Sequence, residues 1–277
     1  MNVLELFPKF EINEFFDLRN LSKINDLNFT KNEISKISFF YKNKKISLLS
    51  VFDFKLKENS KLIRKIIINN ANENFHYAGF KWAKDNLEIN GNVGSFVGFQ
   101  MKSGSIDLNG SATTFLGCQM IDGEIHVYGQ TAGDYVGAAN FGDKMGMNGG
   151  LIRILKDAGN YLGQFMRRGT IIVEGNIGDL GGNNMIAGTI FIFGNIGKAF
   201  GTGMKRGTVI LNKKFTPIDD SFVNCGRQEI NFFPILKKLL NKQIKTKNNL
   251  KVFNKLIGDR KNNGLGEILF FNIKNHN

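Results

Sequence analysis

The sequence repeats a phrase at a fixed interval. Units of the form G-x-I-x-V-x-G open at Asp85, Gly104, Gly123, Gly150, Gly169, Gly188 and Gly207, nineteen residues apart except for one interval of twenty-seven. A period of this length marks an architecture in which one supersecondary unit stacks on the next. The second and fourth residues after each opening are aliphatic in every unit, from Leu87 and Ile89 through Ile171 and Val173 to Val209 and Leu211. Alternation puts both on one face of a short strand. A strand of five residues cannot bury that face alone. If each unit makes one circuit, its strands stack in parallel about 4.8 Å apart and the aliphatics become internal ladders. Met101, Met120, Met147, Met166, Met185 and Met204 share a slot three residues before the next opening. Glycines six, nine and thirteen residues after an opening, such as Gly175, Gly178 and Gly182, fall at corners. There the backbone needs positive φ, or the adjacent circuit leaves no room for a side chain.

The expected fold is therefore all-β: a parallel, right-handed β-helix of about seven 19-residue turns. A weaker circuit precedes them at 66–84, where Tyr77, Gly79 and Trp82 hold the aromatic, glycine and methionine slots. Nearly all of the 32 glycines lie between 85 and 211, so the chain divides into three parts. Residues 1–65 form a β-rich cap of short apolar runs such as ISFF and KISLLSVFDF, residues 66–214 the glycine-rich repeat, and residues 215–277 a basic C-terminal tail. Within the tail, Pro234 with Ile235, Leu236, Leu239 and Leu240 predicts a short helix.

Composition narrows the function. With 42% hydrophobic and 22% charged residues the chain has enough apolar material for a core, and no apolar run is long enough to span a bilayer. The opening MNVLELFPKFEINEFF lacks the layout of a secretory signal, so a cytoplasmic location and no membrane partner are expected. Cys118 and Cys225 are too few for a disulfide framework or an all-cysteine metal site, so any metal is expected in partner subunits. His76, His126 and His276 are scattered, Asp219 and Asp220 read as solvated carboxylates, and Cys118 beside Gly117 reads as a small packed side chain. No nucleophile and base pair emerges, and no catalytic residue is expected. The net charge of +13 raises nucleic acid as a partner, but aromatic residues do not alternate with the basic ones as a base-stacking surface requires. GNVGSFVG and GNIGKAFG look like phosphate loops, but they recur in successive units and no Gly-Lys-Ser/Thr follows, so they read as corners.

The G-x-x-G-x-x-x-G corners and the strand openings FMRRGTI, MIAGTI and GMKRGT resemble the glycine-rich β-helix subunit of formylmethanofuran dehydrogenase. They come nearest its bacterial form in formyltransferase/hydrolase complexes of one-carbon metabolism. The resemblance covers about residues 60–214 and continues into NCGRQEINFFPIL and GDRKNNGLGEIL; Asp85 and Trp82 depart from its glycine and methionine. It implies a noncatalytic scaffold subunit, partnered by formyltransferase, amidohydrolase-like and small subunits. Formyl transfer between tetrahydromethanopterin and a methanofuran-type, polyglutamylated cofactor, with release of formate, then falls to the partners. The same kind of β-helix ends the large subunit of glutamate synthase, so a regulatory or channelling domain of an amidotransferase is the alternative.

Three surface features are candidate sites. Lys102, Arg167, Arg168, Lys205 and Arg206 sit just before strand openings, so stacking puts them along one edge. With the resemblance, that edge is a candidate for holding the polyglutamate tail, joined by Arg153 or Lys156. Outward strand positions turn from polar (Glu88, Asn90, Asp107, Asn109) to apolar (Ile172, Phe191, Phe193, Ile210), which marks either a partner contact or a surface covered by the tail through Phe232 and Phe233. The long interval places an insertion at 138–145, including Asn140 and Phe141, expected to project toward a neighbouring subunit.

Overall fold

The computed structural model describes residues 2–26, 30–57, 64–217, 220–231 and 252–271. The protein is mostly β, with two four-residue α-helices, Lys31–Ile34 and Leu48–Val51, and two 3-10 segments among the described residues. Its main sheet has 13 strands. From one edge the order is Val223–Glu229, Val252–Gly258, Gly266–Phe270, Thr208–Leu211, Thr189–Ile192, Arg168–Val173 and Asn148–Ile154. It continues through Glu124–Val127, Ser105–Asn109, Asn86–Gly91, Arg64–Ala71 and Asn2–Pro8 to Phe52–Lys57. A four-stranded sheet near the N-terminus completes the β structure. The helix expected from Pro234 lies outside the described residues.

From Asn86 to Leu211 consecutive strands pair in parallel, with each aliphatic opposite its counterpart: Leu87 with Ile106, Ile125 with Ile152, Ile190 with Val209. These ladders and the methionine slot are wholly buried. Stacking extends past the repeat at both ends. Ile66 and Ile68 pair with Leu87 and Ile89, and beyond them come Leu4 and Leu6. At the other end Val209 pairs with Ile268 of the tail.

Corner chemistry follows the two expected causes. Gly182 has φ of +69°, whereas Gly175 is set by crowding, because a Cβ there would lie 2.5 Å from the Lys156 carbonyl. Asx side chains hold other corners: Asp157 accepts from the Asn176 N–H at 2.7 Å, and Asn176 in turn from the Asn195 N–H at 2.8 Å. The departure at Asp85 has its own partner. Its buried carboxylate receives the Arg64 guanidinium at 2.6 and 3.0 Å, and its carbonyl accepts the Trp82 indole N–H at 2.8 Å. Among the described residues no helix is long and apolar enough to cross a membrane.

Candidate functional site

The basic edge is built by backbone register. The N–H groups of Lys102, Ile121, Arg167, Ile186 and Lys205 each donate to the Trp or Met carbonyl of the preceding repeat at 2.7–2.8 Å. These residues therefore lie in one column, with Arg168 and Arg206 in the adjoining one. Lys102, Arg167, Arg168, Lys205 and Arg206 are all exposed. Ile186 and Ala187 separate the two basic pairs, a gap of two strand spacings, or about 10 Å. Arg153 and Lys156 do not join this edge. Arg153 lies near the far end of the strand Asn148–Ile154, on the outer face with its Nε 3.6 Å from Glu174, and Lys156 follows that end.

The outer face of the sheet changes character in the predicted order. Glu88 pairs with Lys65 at 2.5 Å, and Asp107, His126 and Arg153 follow on successive strands. His126 Nε2 lies 3.2 Å from Glu124. The apolar stretch is covered by the chain itself. Ile172, Phe191 and Ile210 form a second buried cluster with Ile230, Phe253, Leu269 and Phe271, and Phe193 packs partly buried against it. Among the described residues Leu269 continues the apolar row in register beside Ile210, and Ile230, Phe253 and Phe271 complete the cluster; Phe232 and Phe233 lie outside the described residues.

The insertion folds back over a row of stacked rings. Tyr77, Phe96, Phe115, Tyr135 and Tyr161 stack face to face with centroids 4.7–4.8 Å apart. The interval is nineteen residues from Phe96 to Phe115, twenty to Tyr135 and twenty-six to Tyr161. One of the eight extra residues therefore precedes Tyr135, and the loop that follows it is one residue shorter than the expected 138–145 insertion. Ala138 and Ala139 are buried in the corner, and residues 141–145 are exposed. Phe141 is 71% exposed, yet its ring packs edge-on against Phe115 at 4.9 Å and near Tyr135 at 5.6 Å. Half-buried Asn140 accepts the Asp143 N–H at 3.0 Å, and Asp143 accepts the Gln119 amide at 2.8 Å. The sequence analysis placed Tyr77 in an aromatic slot; Phe96 and Phe115 keep its nineteen-residue interval, whereas the insertion displaces Tyr135 and Tyr161 from the period.

Among the described residues no three His, Cys, Asp or Glu side chains cluster as a metal site. Cys118 is fully buried, and burial pushes its thiol far above the usual range, as a packed side chain requires. His76 stacks on Phe15 at 4.3 Å, and its Nδ1 accepts the Ser95 N–H at 3.0 Å. Burial holds its pKa below the ordinary histidine value, against the opposing pull of Asp17.

Parallel strands at a nineteen-residue interval, glycine corners and a continuous internal aliphatic ladder define a glycine-rich β repeat protein. The GXGXG motif family model matches residues 40–258, and the chain belongs to that family. Its structure is similar to a chain in the X-ray crystal structure of the formyltransferase/hydrolase complex from Methylorubrum extorquens in complex with methylofuran. The TM-score is 0.84 at 28% sequence identity, over 96% of this chain and 98% of that one. No curated protein matches the sequence.

Proposed function

We propose that the chain is a noncatalytic scaffold subunit of a formyltransferase/hydrolase complex of one-carbon metabolism. The observation that carries this reading is likeness along nearly the whole of both chains to a component of such a complex, beside this chain's own GXGXG family match. In this reading residues 66–214 form a right-handed β-helix of about seven nineteen-residue turns, flanked by the cap at 1–65 and the tail at 215–277. Its partners are formyltransferase, amidohydrolase-like and small subunits, which carry the reaction and any metal, in the cytoplasm. The loop at Asn140 and Phe141 contacts one of them, since Phe141 is fixed by its ring contacts yet mostly exposed. Beneath the tail, Ile172, Phe191 and Ile210 carry the tail's docking rather than a direct partner contact.

The basic edge suits a polyglutamylated, methanofuran-type cofactor. Guanidinium and ammonium groups in neighbouring columns match a chain of carboxylates, and their exposure leaves them accessible to one. Arg167, Arg168, Lys205 and Arg206 would hold the tail, with Lys102 farther along the column, and no covalent link is involved. Each exposed pair contributes only about 0.2–1 kcal/mol, so the hold is shared and weakens with salt. Co-expressing the complex with and without this chain tests the scaffold role. The proposal expects the partner subunits to fail to co-purify without it; assembly and turnover at the full rate in its absence would overturn it.

A further inference from the structure

Beside the last circuits, where the tail returns, lies a cavity of about 860 Å³. Three rings line it. Phe215 packs edge-on to Phe200 at 5.8 Å and to Phe222 at 6.1 Å, and the two outer rings are buried while Phe215 is half-buried. Lys198, Lys214 and Lys261 also line the cavity and are exposed. Two carboxylates reach it, and both are held by the chain's own donors. Asp179 accepts the Lys198 N–H at 2.7 Å; Asp259 accepts the N–H groups of Gly203 and Lys261 at 3.0 Å and the Asn262 amide at 2.6 Å. Those bonds fix the acids against the backbone, whereas the ammonium groups of Lys198 and Lys214 end flexible stems at the rim.

A cavity of several hundred Å³ with an aromatic lining and a few charged groups is what an organic ligand of modest size requires. The rings set what fits. Edge-on phenylalanines offer faces and edges on which a flat apolar group stacks, and no such group exists in a polyglutamate chain. The lysines set the sign of the charge. As point charges on flexible stems they accept carboxylate and phosphate alike, without the planar matching that arginine imposes.

We propose that this cavity binds an organic anion carrying a flat apolar group, with the apolar part on the half-buried ring of Phe215, backed by Phe200 and Phe222, and the carboxylate or phosphate at Lys198 and Lys214. The site adjoins the basic edge, where Lys205 donates to the carbonyl of the lining residue Asn262, but it uses none of that edge's basic residues and does not rest on the scaffold role. It is tested on the full chain with 8-anilinonaphthalene-1-sulfonate, followed by fluorescence. One saturable equivalent binds, and the double variant Lys198→Gln/Lys214→Gln weakens it about tenfold while leaving binding of uncharged N-phenyl-1-naphthylamine unchanged. Phe215→Ala weakens both probes. Both lysines are exposed, so the double variant keeps the wild-type thermal midpoint and decides the question even if Phe215→Ala unfolds the tail. Competition by 1-naphthoate against 1-naphthyl phosphate tells which anion is preferred, and polyglutamate leaves the probe in place. Binding that does not saturate, equal affinity in the lysine variant, or displacement by inorganic phosphate or polyglutamate alone would overturn the proposal.

Discussion

Replacing Phe253 by alanine tests how the tail is held to the repeat. The ring is 1% exposed, packs edge-on to Phe271 at 5.2 Å and belongs to the same buried cluster as Ile172, Phe191 and Ile210. Truncating a buried phenylalanine costs about 3–5 kcal/mol, because the transfer free energy is lost and the cavity collapses only in part. With unfolding entropy near 2.1 cal/mol/K per residue, 277 residues unfolding as one unit would lose about 0.6 kcal/mol per degree and the midpoint would fall by about 5–9 °C; a smaller unit that unfolds alone shifts further. Stacked architectures couple mainly through nearest neighbours, and among the described residues Val252–Gly258 pairs with Val223–Glu229 and Gly266–Phe270. The loss should therefore appear first as a separate, lower-temperature transition of the tail strands. Differential scanning calorimetry reads the transition, and limited proteolysis with fragment mapping locates it, with the first cuts near residue 253. An unchanged midpoint together with an unchanged cleavage pattern would show that the tail does not cover this face.

The other predictions concern charge, crowding and protonation. Changing Arg167, Arg168, Lys205 and Arg206 together to Glu should raise the KM of the assembled enzyme for a polyglutamylated cofactor far more than for a tail-less analogue; equal effects would exclude the edge as the tail's support. Asp85→Asn removes the buried carboxylate that pairs with the half-buried Arg64 guanidinium and should cost up to about 3–5 kcal/mol in denaturant unfolding, part of it recovered by adding Arg64→Gln. Gly110→Ala would drive a Cβ into the Gly91 carbonyl and should destabilise well beyond Gly182→Ala, where only the φ of +69° opposes the change, at about 1 kcal/mol. Because the native pKa of His76 is depressed, the unfolded chain takes up this proton first as pH falls. Its contribution is therefore intact above about pH 6.5 and is lost below it, so His76→Gln should flatten the pH dependence of stability between about pH 7 and 5.

What the sequence disclosed followed from strict alternation. Leu87, Ile106 and Ile125 announce a ladder because an inward position recurs at one interval and a single-residue slip would turn it to solvent. Gly266, Ile268 and Phe270 obey the same rule and extend the ladder, but they lie so far beyond Gly207 that no period reaches them. Leu4 and Leu6 do the same at the other end without a glycine opening. The aromatic row beyond Phe115 was hidden by one inserted residue before Tyr135. Asp85, a departure in the pattern, is explained only by Arg64, since a salt bridge across circuits leaves no periodic signature. The basic edge was legible as a column; the pairing of Arg153 with Glu174 was not, because it depends on which outward side chains face each other across strands.

The central claim is that this chain is one part of a larger enzyme. Native mass spectrometry of the tagged chain, purified at low salt from the cells that make it, reads that directly. The predicted result is a hetero-oligomer in which this chain accompanies a formyltransferase, an amidohydrolase-like subunit and a small subunit, with the cofactor-transfer activity in the same fraction. A tagged chain that emerges alone, while those subunits assemble and turn over elsewhere, would contradict it.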